Sequence, residues 1–114
     1  MVNKEIITLL TDFGWEDGYI GAMKGVILGI NPRCLIVDIA HGISPHDVME
    51  AALVLGQTYR YFPPGTIHLV VVDPGVGGGR KPLVVETERY LFVGPDNGVF
   101  ELVIKKEKDI QVYE

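Results

Sequence analysis

Four aspartates punctuate the ends of apolar runs in this chain: Asp12, Asp38, Asp73 and Asp96. The sharpest case is Val70-Val71-Val72-Asp73-Pro74-Gly75-Val76-Gly77-Gly78-Gly79-Arg80, where a wholly apolar run ends in a carboxylate. The loop that follows holds four glycines and one arginine. In open α/β sheets, ligands bind just beyond the carboxyl ends of buried strands. Pro74 keeps Asp73 extended, the glycines allow a ligand close to the backbone, and Arg80 can fold back to keep the aspartate ionised. Such a carboxylate can accept hydrogen bonds from a ribose diol, bind an ammonium group, hold a metal or act as a base. It can also do no more than cap the next turn through its side-chain oxygen.

The elements that must position these groups are legible from periodicity. Ile6 to Leu10 reads as a first strand, ending at Thr11-Asp12-Phe13-Gly14. A helix is expected from about Asp17, with Ile20, Met23, Ile27 and Ile30 on its core face and Asn31-Pro32 as its stop. Cys34 to Ile39 is a second strand. Ser44-Pro45-His46-Asp47 predicts a second helix start, with Ser44 as N-cap, Pro45 in the first turn and Asp47 closing a variant capping box. Val48, Ala52, Leu55 and Tyr59 mark that helix's buried face. Ile67 to Val72 has the β-branched continuity of a strand buried on both faces. Leu83 to Thr87 and Tyr90 to Val93 predict a hairpin through Glu88-Arg89; a short helix near Val99 to Ile104 and a strand near Ile110 to Tyr113 follow. Alternating strands and helices imply right-handed crossovers and an α/β fold: three layers, with a mainly parallel, Rossmann-like sheet flanked by helices. Asp12, Asp73 and Asp96 are then expected on one sheet edge.

The 114 residues make one domain, and 47% hydrophobic with 22% charged residues makes it globular. A net charge of -5 argues against nucleic acid or an anionic membrane as partner. Cys34 is the only cysteine, so an internal disulfide is impossible and a reducing, cytoplasmic setting is expected. The run from Glu5 to Leu10 is too short for a signal peptide or a membrane span. The final strand-like segment has no polar tail, which suggests a fragment, or the first domain of something longer.

Several groups have plain structural readings. Asp17 can cap the first helix, His41 reads as a hydrogen-bonded turn histidine, and His46 sits at the start of the second helix. His68, inside a buried strand, reads as a satisfied core histidine. The histidines show no zinc spacing, and no metal site is expected. A Walker lysine pattern is absent, and the dinucleotide glycine fingerprint fails because Arg80 occupies its final position.

Taken in order, Leu10-Thr11-Asp12-Phe13-Gly14, Asp17-Gly18-Tyr19-Ile20-Gly21-Ala22-Met23-Lys24-Gly25 and Val37-Asp38-Ile39-Ala40-His41-Gly42-Ile43-Ser44-Pro45-His46-Asp47 form a pattern. Tyr61-Phe62-Pro63-Pro64-Gly65-Thr66, Val72-Asp73-Pro74-Gly75-Val76-Gly77 with Arg80, and Val93-Gly94-Pro95-Asp96-Asn97-Gly98 complete it. With these motifs the chain resembles the amino-terminal domain of the S-adenosyl-L-methionine hydroxide adenosyltransferases, relatives of the fluorinase and chlorinase. The resemblance implies cofactor-free attack of water on ribose C5′ of S-adenosylmethionine, giving adenosine and L-methionine. It implies that Asp12 grips the ribose hydroxyls and that Asp17 lies near the methionine amino group, with Asn97 also contacting substrate. It further implies that Asp73 and Arg80 belong to an Asp-Arg-His set that positions the water. The halogenases carry another residue at the place of Asp73, where a carboxylate would repel halide, so the hydroxide branch matches better. Gly78 stands where the family often has a small hydroxyl residue. The family's histidine and a β-rich second domain are expected beyond position 114, and the family pocket is completed by a neighbouring subunit of a homotrimer. The 114 residues alone are therefore expected to be inactive. Two other readings of the residues are a metal-dependent phosphohydrolase with magnesium on the aspartate rim, and a non-catalytic nucleoside-binding module.

Overall fold

A computed structural model describes residues 4–73 and 81–114. In chain order the described elements are β1 (Ile6–Thr11), α1 (Tyr19–Ile30), β2 (Leu35–Ala40), α2 (Val48–Thr58), a 3-10 turn (Tyr59–Tyr61), β3 (Ile67–Val71), β4 (Pro82–Glu86), β5 (Leu91–Pro95), α3 (Glu101–Lys106) and β6 (Gln111–Tyr113). The strands form one sheet in the order β2-β1-β3-β5-β4-β6. β2, β1, β3 and β5 run parallel, while β4 is antiparallel to both its neighbours. The expected α/β fold with a mainly parallel sheet is therefore present. Among the described residues no helix is long and apolar enough to cross a membrane.

The core lies on one face of the sheet. Leu10, Val70, Val72, Val85 and Phe92 pack there against Ala51, Ala52 and Leu55 of α2 and Val103 of α3. Right-handed crossovers in opposite directions from β1 and β2 put α1 on the other face, over Leu9, which is fully buried. That second cover is partial. In β3 His68 and Val70 are buried while Ile67, Leu69 and Val71 are only half-buried, so the strand expected to be buried on both faces is fully buried on one. α1 shows the same shortfall: Ile20 is buried, Met23 and Ile27 are half-buried, and Ile30 is 82% exposed. Its helical spacing is real, but it spans too little of the sheet to bury its last turn.

The start of α2 differs from the sequence expectation. Asp47, not Ser44, is the N-cap, its Oδ1 accepting the Glu50 amide at 3.0 Å. Glu50 reaches back past the cap to accept the Ser44 amide at 2.7 Å, so its carboxylate ties down the approach to the helix and does not close a reciprocal box with Asp47. Pro45 and His46 precede the helix, and His46 adopts a left-handed φ of 63°. At Gly94 a Cβ would lie 2.8 Å from the Val70 carbonyl oxygen and 2.9 Å from the Phe100 ring, so β5 packs against β3 and Phe100 only with glycine there.

His68 is a core histidine, but an incompletely satisfied one. Thr8, its register partner across β1–β3, meets Nδ1 at 2.7 Å. Among the described residues Nε2 has no hydrogen-bond partner, and the imidazole is enclosed by the rings of Tyr59, Phe62, Tyr90 and Phe92, the last stacked at 5.1 Å between centroids. Burial penalises the imidazolium and pushes the pKa from 6.5 down to about 4. The unfolded chain therefore binds the proton more readily than the folded one between these values. The associated stability is complete above pH 6.5 and is lost as pH falls towards 4, approaching about 3 kcal/mol. Guanidinium unfolding at intervals from pH 7 to pH 4 is expected to show this fall. His68→Phe is expected to flatten it, and an unchanged slope in that variant would assign the acid sensitivity to another group.

Candidate active site

The order β2-β1-β3 reverses at β1, so the connections leaving β1 and β2 diverge at the carboxyl ends of β1 and β3. Open α/β sheets bind ligands at such a point. Thr11 and Val71 end their strands in register, which puts Asp12 one residue beyond β1 and Asp73 two residues beyond β3 on the same edge. β5 runs parallel to β3 and carries Asp96 to that edge as well. The three aspartates expected to share an edge do so. Asp38 does not join them as a strand end: it lies inside β2, opposite Leu9, and is committed elsewhere.

Asp12 is half-buried, and its Oδ2 accepts the backbone amide of His46 at 2.8 Å. Among the described residues Oδ1 takes no hydrogen bond, so one oxygen is anchored and the other can meet a ligand. Asp12 sits in a tight turn. Thr11 Oγ1 accepts the Phe13 amide at 3.2 Å, and Gly14, at φ 70°, donates its amide to the His41 carbonyl at 2.8 Å. Behind this turn, His41 Nδ1 lies 2.7 Å from Thr11 Oγ1 and Nε2 lies 2.7 Å from Asp38 Oδ1. Asp38 Oδ2 receives Lys24 Nζ at 2.7 Å. Burial pushes the Asp38 carboxyl up, but the hydrogen bonds from His41 and Lys24 and the lysine charge outweigh it and hold the pKa below the usual value. Trp15 packs edge-to-face on His41, ring centroids 4.6 Å apart, and Lys24 stands 5.7 Å from the Trp15 ring centre.

The remaining predicted site residues divide. Asp73 is 6% exposed and borders an apolar hollow of ≈ 230 Å³ lined by Leu69, Val71, Lys81, Val93 and Pro95. The hollow reaches neither Asp12 nor Asp17. Asp17 is exposed, and its Oδ1 accepts the Tyr19 amide at 3.2 Å just before α1. Asn97 uses both halves of its amide within the fold: Nδ2 donates to the Val72 carbonyl at 2.9 Å and Oδ1 accepts the Val99 amide at 3.1 Å. It thereby fastens the β5 turn to the backbone beside Asp73. Arg80 lies outside the described residues, as does the rest of 74–80. Among the described residues no three His, Cys, Asp or Glu side chains gather as a metal site.

Sequence reasoning missed Thr11, Trp15 and Lys24, and read His41 only as a turn residue. The signal available was Asp38 three positions before His41 at the end of an apolar strand. It could not reveal that Thr11 and Lys24, distant in sequence, complete the chain of contacts.

Residues 7–114 match the family model described as the SAM hydroxide adenosyltransferase N-terminal domain. The chain is similar to (R)-S-adenosyl-L-methionine hydrolase of Methanocaldococcus jannaschii, 50% identical over 107 residues, covering 90% of this chain and 40% of that protein. It is more distantly similar to the fluorinase of an Actinoplanes species, 26% identical over 132 residues, covering 96% of this chain and 44% of the other. A crystal structure of an uncharacterized conserved protein from Thermotoga maritima superposes with a TM-score of 0.87 at 43% identity, over 95% of this chain and 43% of that one. The chain thus spans less than half the length of these relatives.

The Asn97 geometry carries an expectation of its own. Asn97→Ala orphans the Val72 carbonyl and the Val99 amide, so the variant is expected to lose about 1–3 kcal/mol of stability in urea unfolding. A loss within error of zero would mean that water replaces the side chain at no cost.

Proposed function

The chain belongs to the SAM hydroxide adenosyltransferase family, and on that premise we propose that it is the substrate-binding domain of an S-adenosyl-L-methionine hydrolase. The observation that carries this reading is the placement of Asp12 and Asp73 on one edge at the point where the strand order reverses. In this reading Asp12 holds the ribose diol, Asp17 the methionine ammonium, and Asp73 with Arg80 the attacking water. Asn97 serves the substrate side from behind, by fixing the backbone next to Asp73. No cofactor is invoked, because S-adenosylmethionine is itself the activated substrate.

The chemistry asks little of the protein. A sulfonium is already a good leaving group, so the site has to align water with C5′ and exclude bulk solvent. Water forms the new C5′–O bond as the C5′–S bond breaks, and methionine departs with the bonding electron pair. The water proton passes to solvent after hydrogen bonding to Asp73. An aspartate is too weak a base to strip a proton from free water, so its task is orientation as charge develops, with no prior formation of hydroxide. A carboxylate at position 73 also disfavours halide, which supports the hydroxide branch over the halogenase branch.

The full enzyme in this reading adds a β-rich second domain carrying the third member of the water-positioning set, and is a cytoplasmic homotrimer whose subunits complete one another's pockets. Support for the larger assembly is the length of the relatives, of which this chain spans 40% in the archaeal case.

Two outcomes are expected. The chain binds adenosine in calorimetry, and Asp12→Ala weakens binding at least about tenfold, since each charge-assisted hydrogen bond contributes about 1.5–3 kcal/mol. Unchanged affinity would transfer the ribose role to another residue. In a protein that joins this domain to the second one, Asp73→Asn and Arg80→Ala lower kcat about 100-fold or more with little change in KM. Near wild-type kcat in either variant, followed by chromatographic release of adenosine, would overturn the water site.

A further inference from the structure

Asp12 presents its carboxylate from a turn, and a turn has no ladder of its own to hold it. What holds this one is buried. Thr11 is fully buried and His41 is 1% exposed, with no solvent to compensate a broken contact. A single hydroxyl, Thr11 Oγ1, takes the amide of Phe13 on one side of Asp12 and the ring of His41 on the other. The backbone carbonyl of the same histidine takes the Gly14 amide. His41 is in turn fixed at Nε2 by Asp38, and Asp38 by Lys24. Every polar atom along this path has a partner, in contrast to His68, so the path defines one arrangement of the turn.

We propose that His41 is a positioning residue for Asp12: the Lys24–Asp38–His41–Thr11 chain, buried at His41 and Thr11 and half-buried at Lys24 and Asp38, aims the Asp12 carboxylate at the ligand. The two ring nitrogens have separate tasks. Nδ1 clamps the turn through Thr11, and Nε2 docks the ring on the β2 carboxylate. A neutral ring protonated at Nε2 fits every contact, donating to Asp38 and accepting the Thr11 hydroxyl proton, while Thr11 Oγ1 remains an acceptor for Phe13. The second hold on Asp12 comes from the same connection: His46, five residues after His41, turns left-handed and points its amide at Oδ2. The consequence for ligand rests on the adenosine-binding role proposed for Asp12; the mechanical claim does not.

The His46 amide supplies a ligand-free readout, because its hydrogen bond exists only when Asp12 is in place. Hydrogen exchange by NMR is expected to show loss of His46 protection by about tenfold in Thr11→Val and in His41→Gln, with Val70 and Leu10 amides in the sheet unchanged. His41→Asn retains an acceptor near the Nδ1 position and is expected to keep protection within about threefold of wild type, despite losing the Asp38 contact. Adenosine affinity, measured by calorimetry on the same proteins, is expected to follow the His46 protection. Equal protection in all variants, or rescue by Gln as good as by Asn, overturns the proposal. If both His41 variants lose sheet protection as well, the isosteric Thr11→Val decides alone: its His46 amide either loses protection while the sheet keeps it, or the proposal fails. A wild-type chain that binds no adenosine refutes the ribose role of Asp12 and leaves the amide comparison to judge His41.

Discussion

The handedness of parallel crossovers is the constraint from which the rest of this molecule follows. β1 sits between β2 and β3, so its outgoing connection runs one way across the sheet and the connection from β2 runs back the other way. Right-handed crossovers then place the two helices on opposite faces. The strand ends between them are left without a covering element, and the in-register ends of β1 and β3 bring Asp12 and Asp73 to the same edge. A left-handed return at one connection would put both helices on the same face and leave the other face of the sheet bare.

The two buried histidines show how differently one residue type can be used. His68 faces four aromatic rings and one hydroxyl, and the fold keeps it neutral by desolvation. His41 lies equally deep but has a hydroxyl on one nitrogen and a carboxylate on the other. The first is a filler whose ionisation works against folding. The second links three elements through directional contacts, and directional contacts transmit position where ring packing only fills volume. Asp38 makes the difference, since it accepts both the ring and Lys24 while staying ionised.

Much of the architecture was legible because periodicity reports burial. The β1–α1–β2–α2–β3 order, the hairpin of β4 and β5, and the shared edge of Asp12, Asp73 and Asp96 follow from apolar runs and from what interrupts them. The errors are equally physical. Ser44 was the expected cap because serine before proline resembles a helix start, but the left-handed His46 inserts a turn and passes the cap to Asp47. β3 reads as doubly buried because β-branched runs do not state what covers each face. The contact of the Asn97 amide with the Val72 carbonyl, 25 residues away, is no error but a partner that local sequence cannot report. The Lys24–Asp38–His41–Thr11 chain was invisible for the same reason.

The central position of β1 also bears on how the chain acquires its structure. β1 precedes both of its neighbours in the chain, yet Thr8 finds Val37 on one side and His68 on the other. The second of these neighbours is made 60 residues later. An early strand with a long-delayed partner keeps an open edge until that partner is made, and pairing across such a separation carries a loop-closure entropy. The turn that bears Asp12 therefore gains its second flanking strand only after β3 has been made.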